Sequence, residues 1–418
     1  MKIAIIHSRL NIKGGSQRHC LAYASALQQL GHDITVYVMA YERERCFPEM
    51  LDKLRVRPLA GYHPDKQKSK SKWLKFFNYF VYSRRESRAA QSLAAQIQDD
   101  TDILFAHDRL AFRVATFAKK RLGIPSVLMM ADILTKSWAS WRQSELDARL
   151  ALPLRTRMFY KLIDAYEMRR FIKPHDALIV VDTRTKEWAK RYFHKDAVVV
   201  RNGIEIDTFP YREHSSPRQN AVKLLAVGIF FVHRRYEDII KAAAILRKRG
   251  VDVKLVIAGD NQTPAYAAYG KVLYSLVAEL NLRSRVSFPG RISEEELIRL
   301  YGEYDMYISA NHLQSWGLAV FEAMACGMPV IVSKTAGASE VLTHGENALL
   351  VNPKAPEEIA DAVEHLIKNP SLYAHMSERG RKFVEANISW ERSAKSVVEI
   401  FEKLQAKKVG KNNRRDSF

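Results

Sequence analysis

Residues 2–38 read KIAIIHSRLNIKGGSQRHCLAYASALQQLGHDITVYV. The opening run, Lys2-Ile-Ala-Ile-Ile-His7, is short, apolar and β-branched, the pattern of a parallel strand buried on both faces. Gly14-Gly15-Ser16 breaks it. Beyond the glycines Cys20/Leu21, Ala24, Leu27 and Leu30 recur every three or four residues, the period of one helix face, and Gly31 stops the helix. His32–Val38 reads as the next strand. Strand, glycine turn, helix, strand, with a right-handed crossover, is the repeating unit of a doubly wound α/β sheet.

The alternation continues outward from that unit. Strands are expected at Ile103–His107, Ser126–Met130, Ala177–Val181 and Ala197–Arg201. A polar stretch, Tyr211–Asn220, with Ser215-Ser216-Pro217 inside it, reads as a linker. A second series follows, with strands at Lys223–Val227, Lys254–Ala258, Arg285–Phe288, Met306–Ser309, Pro329–Val332 and Ala348–Val351. Helical patterns lie between them at Tyr236–Arg249, Lys271–Leu280, Glu294–Tyr301, Leu318–Ala325 and Pro356–Ile367. The fold class is α/β, with two Rossmann-like doubly wound domains over 1–205 and 206–385. A C-terminal helix over 386–405 is expected to pack back on the first domain. Residues 406–418 are basic and aperiodic and read as a disordered tail.

The 418 residues are 47% hydrophobic and 27% charged, which excludes a fibrous or disordered chain. Lys+Arg total 66 against 46 Asp+Glu, a formal net charge of +20, so phosphorylated ligands, an anionic membrane or nucleic acid are the partners charge favours. No RRM, KH loop or zinc finger is recognisable, and a nucleic-acid partner is not expected. Three cysteines cannot build a disulfide framework, which points to a reducing compartment. The first apolar run is too short for a signal peptide, and no stretch approaches the roughly 18 apolar residues of a spanning helix. A cytoplasmic protein is expected, peripheral on the inner face of the plasma membrane if it touches one.

The segment richest in chemistry is Gln314-Ser-Trp-Gly-Leu-Ala-Val-Phe-Glu-Ala-Met-Ala-Cys-Gly-Met-Pro-Val330. Gly317 stands where a loop turns into a helix, whose first N–H groups are free and whose dipole favours an anion. Glu322 falls among apolar neighbours, where a carboxylate needs a hydrogen-bonding partner. A ribose diol one turn from a phosphate site would be such a partner; a plain strand–helix–strand unit with Glu322 on a solvent face accounts for the pattern equally well.

From Met306 to Val351 the chain resembles the nucleotide-sugar site of the family 4 glycosyltransferases, retaining enzymes of the GT-B fold. The residues that carry the resemblance are Gln314, Trp316-Gly317, Glu322-Ala-Met-Ala-Cys-Gly-Met-Pro-Val-Ile331, Ala336-Gly-Ala-Ser-Glu340, Gly345 and Leu349-Leu-Val351. Val200-Arg-Asn-Gly-Ile204 and Gly14-Gly15 extend it into the first half. The resemblance implies two domains facing a central cleft and a nucleoside-diphosphate sugar as donor, with no cofactor and no metal. Glu322 would bind the ribose hydroxyls, Trp316, Gly317 and Leu318 would line the diphosphate, and Glu340 would face the donor. Gly14 and Gly15 would let the first domain's backbone approach the sugar phosphate. The acceptor would be a glycolipid or polysaccharide intermediate.

Three positions depart from the family pattern. Gln314 replaces the first Glu of E-x7-E; it can hydrogen-bond a sugar but brings no charge to the anomeric centre. After Val227-Gly228 the usual Arg is missing, leaving Arg234 or Arg235 as the diphosphate cation. Ala131-Asp132 stands where many members carry a sugar-contacting His; either Asp132 substitutes for it or the role is absent. His107, at a strand's C-terminal end, is a candidate acceptor contact or base, or else an ordinary buried histidine. These departures leave a non-catalytic sugar-nucleotide binding subunit as the alternative. Asp100-Thr101-Asp102 spells the metal signature of another glycosyltransferase fold and reads here as a helix end entering a strand. Finally, Lys66–Arg85 carries Trp73, Phe76, Phe77 and Phe80 at helical spacing among lysines and arginines, either a helix for an anionic bilayer or one packed on the first core.

Overall fold

The computed structural model describes the chain except residues 63–71, 134, 138, 141–151, 218–220, 262, 314–315 and 416–418; at 72–78, 80, 264–265 and 409–415 it describes the backbone alone. The chain divides into two compact units. The first holds Met1–Ala139, Leu152–Arg201 and the segment from Trp390 onward; the second is built on Asn202–Ser389.

The first unit is a seven-stranded sheet of β1 (Lys2–Leu10), β2 (Asp33–Tyr41), β3 (Arg55–Pro58), β4 (Ile103–Ala106), β5 (Ser126–Met130), β6 (Ala177–Val180) and β7 (Val198–Val199). Its order is β3-β2-β1-β4-β5-β6-β7, with every pairing parallel. The second unit is a six-stranded parallel sheet of β8 (Ala221–Val227), β9 (Asp252–Ala258), β10 (Val286–Gly290), β11 (Met306–Ser309), β12 (Val330–Ser333) and β13 (Leu349–Val351), ordered β10-β9-β8-β11-β12-β13. Parallel strands require helical crossovers that cover both faces, which is why the strands read as apolar runs rather than alternating ones.

Two elements escaped the apolar-run criterion. The edge strand β3, Arg-Val-Arg-Pro, is mostly polar because one side meets solvent. The helix Pro370–Asn387 turns only the side chains of Tyr373, Met376, Ser377 and Val384 into the core. The C-terminal helix, Trp390–Arg415, packs on the helix Gly15–Gln29 of the first unit. Its backbone stays helical to Arg415, correcting the expectation of a disordered tail from 406.

Buried polar groups stitch the first unit together. Arg113, fully buried on the helix Arg109–Leu122, donates to the Ser83 carbonyl at 2.9 Å and pairs with Glu167. It thereby joins the helices Lys72–Ala95 and Leu154–Glu167. His175 is held between two hydroxyls. Thr116 donates to the Phe112 carbonyl at 2.8 Å and its oxygen lies 2.9 Å from His175 Nε2, while His175 Nδ1 lies 2.8 Å from Ser126 Oγ.

That arrangement makes stability fall with acid. Burial, seconded by Lys119 and Lys195, pushes the His175 imidazole down to about 3. The unfolded chain takes up this proton below its ordinary value of about 6.5 while the folded chain refuses it, so the stabilisation is complete above that value and is lost as pH falls. At pH 5 the loss is about 2 kcal/mol from His175 alone. His7 and His107, also lowered chiefly by burial, act in the same direction. Thermal unfolding at pH 7.5 and pH 5 should show the drop, and His175→Gln should flatten it; an unchanged slope in the variant would show that His175 titrates normally.

Candidate functional site

In the second sheet the strand order reverses between β8 and β11. Loops leaving two such neighbours diverge to opposite faces and open a crevice at their C-terminal ends, where ligands of open α/β sheets bind.

The β8 loop begins at Gly228, at φ +144°, beside Gly259 of β9 at φ +154°. A Cβ on Gly259 would stand 1.9 Å from the Gly228 carbonyl oxygen, and one on Gly228 would stand 2.8 Å from Arg234 Cζ. Both positions are closed to any side chain. The bare backbone lets the Arg234 guanidinium lie directly against the end of β8.

The next residue behaves oppositely. Arg235 sits in the left-handed region, φ +54°, and caps the helix Tyr236–Lys248. Its guanidinium turns back into that helix's first turn, donating to both Asp238 oxygens at 2.9 Å and pairing with Glu237 at 2.6 Å. Burial raises the Glu237 carboxyl, with Arg235 opposing the shift. Arg235 is therefore engaged in structure, which corrects its standing as an equal candidate for the diphosphate. Tyr236, whose hydroxyl donates to the Gly228 carbonyl at 2.8 Å, is pushed up to about 12 by burial, against the pull of the Arg234 charge.

The β11 loop is tied to this segment by the His312 N–H, which donates to the His233 carbonyl at 2.8 Å. Leu313 follows at φ +58°, a strained conformation for a branched side chain. Gln314, the candidate for the anomeric centre, lies outside the described residues. Gly317, at φ +84°, then starts the helix Leu318–Ala325, and no side chain caps it. Val320 N–H bonds the Gly317 carbonyl at 3.2 Å, and Gly317 has no side chain to cap the amides of Leu318 and Ala319.

Glu322 is 8% exposed and accepts from the Tyr301 hydroxyl at 3.0 Å. Burial, then the nearby Glu322 carboxylate, hold that hydroxyl well above its ordinary range. The Tyr307 hydroxyl, raised by burial, feels Arg234 and Glu322 together, which sets the cation and the carboxylate within electrostatic reach of one group. Trp316 does not present its ring to a ligand. The ring is 2% exposed, stacks on Phe321 and donates through Nε1 to the Asn202 carbonyl at 2.9 Å, so the expectation for its side chain is corrected to packing. Glu340 is exposed in the short turn Gly337–Val341.

In the first unit, Gly14 has an extended backbone, φ −161°, and a Cβ on Gly15 would meet nothing within 4 Å. Asp132 is half-buried in the loop after β5, its Oδ1 accepting from the Ile133 N–H at 2.7 Å. His107 departs from its expected role. Its ring is buried against Phe105, His19 and Tyr23, and that burial, with His19 and His7 beside it, holds its pKa well below the usual range. It packs the layer between β4 and the helices above. Asp108 caps the next helix, accepting from Leu110 at 2.9 Å and Ala111 at 3.0 Å. Asp100 and Asp102 bind Lys2 at the N-terminal end of β1, the end away from the loops of a ligand site. Among the described residues no cluster of His, Cys, Asp or Glu could hold a metal.

Sequence reasoning missed Tyr301, Gly259 and His312. Gly259 alone left a signal, since Val227-Gly228 and Ala258-Gly259 end adjacent apolar strands in the same way.

Two family models match the chain. One, described as Glycosyl transferases group 1, matches residues 207–383, and the other, Glycosyltransferase Family 4, matches residues 13–208. A Methanocaldococcus jannaschii protein named as an uncharacterized glycosyltransferase is 25% identical over 96% of this chain and 98% of its own length. A GDP-mannose-dependent α-(1-6)-phosphatidylinositol dimannoside mannosyltransferase of Mycobacterium tuberculosis is 26% identical over 71% of this chain and 72% of its own. Among solved structures, sucrose-phosphate synthase of Thermosynechococcus elongatus superposes with a TM-score of 0.75 at 19% identity, covering 97% of this chain and 99% of the other. Anabaena HepE in complex with UDP and glucose gives 0.69 at 18%, covering 96% and 100%.

Proposed function

Because this chain belongs to the family 4 glycosyltransferases of the GT-B fold and is an enzyme that transfers sugars, we propose that its donor is a nucleoside-diphosphate sugar held on the second unit. We propose further that it transfers with retention to a hydroxyl of a glycolipid or polysaccharide intermediate on the first. The observation that carries the donor reading is Arg234 lying over the bare Gly228 backbone, at the strand-order reversal, with the uncapped helix at Leu318 and the buried Glu322 beside the same crevice.

Each part has a charge to meet. Arg234 and the first amides of the helix Leu318–Ala325 stabilise the diphosphate as its bond to the sugar breaks, a task of fixed donors aimed at developing negative charge. Glu322, oriented by Tyr301, accepts from the ribose hydroxyls. The anomeric carbon–phosphate bond breaks, the acceptor oxygen bonds to that carbon on the same face, and the acceptor proton passes to the departing phosphate. No nucleophilic carboxylate is required. Gln314 would contact the sugar as a neutral hydrogen-bonding group. The relatives share transferase names, which favours catalysis over a non-catalytic binding subunit. Among the described residues no helix is long and apolar enough to cross a membrane; a lipid-borne acceptor would be met at the bilayer surface.

Thermal shift against nucleoside diphosphates and their sugars tests the donor, because a ligand that binds only the folded state raises the melting temperature by mass action. One base should stand out, with the diphosphate shifting the melt more than the nucleoside. Turnover should survive EDTA, since protein cations carry the leaving group's charge. Activity lost to EDTA and restored by Mn²⁺ would overturn the metal-independent mechanism while leaving the donor assignment in place.

A further inference from the structure

The helix Leu154–Glu167 exposes its apolar residues to solvent. Leu154 is 70% exposed, Met158 59%, Leu162 70% and Tyr166 49%. They recur every four residues, so they form one stripe along the helix. Arg155, Arg157 and Lys161 are exposed on the same side and, among the described residues, enter no ion pair. The helix's two acids are turned away: Glu167 is buried on Arg113, and Asp164 accepts from the backbone N–H of Lys136 at 2.9 Å and of Ser137 at 2.8 Å. Ile163 is buried, and Phe159 meets Tyr79 edge-on at 6.2 Å.

These inward contacts set the rotation of the helix, and the exposed stripe is their consequence. A solvent-facing helix side normally mixes charges of both signs with few large apolar groups. Here the outward face holds four large apolar side chains and cations only. Arg169 and Arg170, exposed in the turn that follows, continue the positive charge. A protein partner could cover an apolar stripe, but a rim of cations that holds no acid among the described residues matches a continuous anionic plane better.

We propose that the helix Leu154–Glu167 lies on an anionic lipid bilayer, its stripe among the acyl chains and Arg155, Arg157 and Lys161 at the phosphates. The proposal concerns the helix Leu154–Glu167 and not the aromatic segment at 66–85. It deepens the reading of a lipid-borne acceptor, though its evidence does not depend on the donor site: the first unit would be held where such an acceptor emerges.

The test is flotation of the full chain with phosphatidylcholine vesicles, with and without phosphatidylglycerol. The protein should float only with the anionic vesicles, and less in high salt. Changing Arg155, Arg157 and Lys161 to Gln should weaken partitioning about 100-fold, at about fivefold per cation. Met158→Ser with Leu162→Ser should weaken it at least about tenfold. Both variants are on the surface, so the melting temperature and nucleoside diphosphate affinity should hold. Cys20, Cys46 and Cys326 are all buried, so an environment-sensitive dye can be placed on Leu162→Cys alone; its emission should shift to the blue on anionic vesicles. Failure of the wild type to float, undiminished flotation of the variants, loss of flotation only on changing residues 66–77, or a stripe-dependent dimer without lipid binding would each overturn the proposal. None of these outcomes would touch the donor assignment, which nucleotide binding reads separately.

Discussion

Arg235→Ala should cost the second unit about 3–5 kcal/mol of stability, a drop in melting temperature of roughly 10 °C, because it leaves a buried charge cluster without its cation. The Arg235, Glu237 and Asp238 side chains are 13%, 16% and 3% exposed. Arg234→Ala should lower the melt by less, since its guanidinium is not part of that cluster. It should weaken nucleoside diphosphate by ~1.5–3 kcal/mol, or roughly 10- to 150-fold, with little effect on the bare nucleoside. Calorimetric titration and melting curves of the two variants separate the roles of neighbouring residues. An Arg235 variant that melts normally yet loses the diphosphate would reverse the assignment.

Glu322→Ala should show two losses at once. Donor affinity should fall by ~1–3 kcal/mol as the ribose hydroxyls lose their acceptor, and stability should fall by a similar amount because the fully buried Tyr301 hydroxyl loses its partner. Tyr301→Phe separates the two. It keeps the carboxylate, so affinity should fall by less than ~1.5 kcal/mol. The sharper measurement uses a 2′-deoxy nucleoside diphosphate. Wild type should bind it more weakly than the ribo form, whereas Glu322→Ala should bind both alike, the signature of a direct contact in a double-mutant cycle. Persistent discrimination in the variant would remove Glu322 from the ribose.

The strands of the second sheet could be placed in advance because their information is local. Strands β8, β9, β11, β12 and β13 are each apolar runs ended by a turn, and the helices between them carry a 3.6-residue period. The glycines at 228 and 317 likewise mark places where the chain must take a positive φ. Edge strand β3 was not legible, because a strand with one side in water need not be apolar. The helix Leu154–Glu167 was legible only as a basic stretch: its exposed stripe has the same spacing as a core-facing one, and only the packing of Ile163 and Glu167 shows which side points inward.

By itself the sequence determined the α/β class and the two sheets, since apolar period and glycine position act over a few residues. The tertiary structure alone decided what individual side chains do. Arg234 and Arg235 are the same residue type one position apart; a left-handed turn at Arg235 sends one to Asp238 and leaves the other over Gly228. His107 ends a strand as a ligand contact could, yet His19 on one helix and the Trp390 helix close over that face of the sheet and bury it. Glu322 finds its partner in Tyr301 from a different helix. Such outcomes depend on which elements meet across long stretches of chain, and no local pattern encodes that meeting.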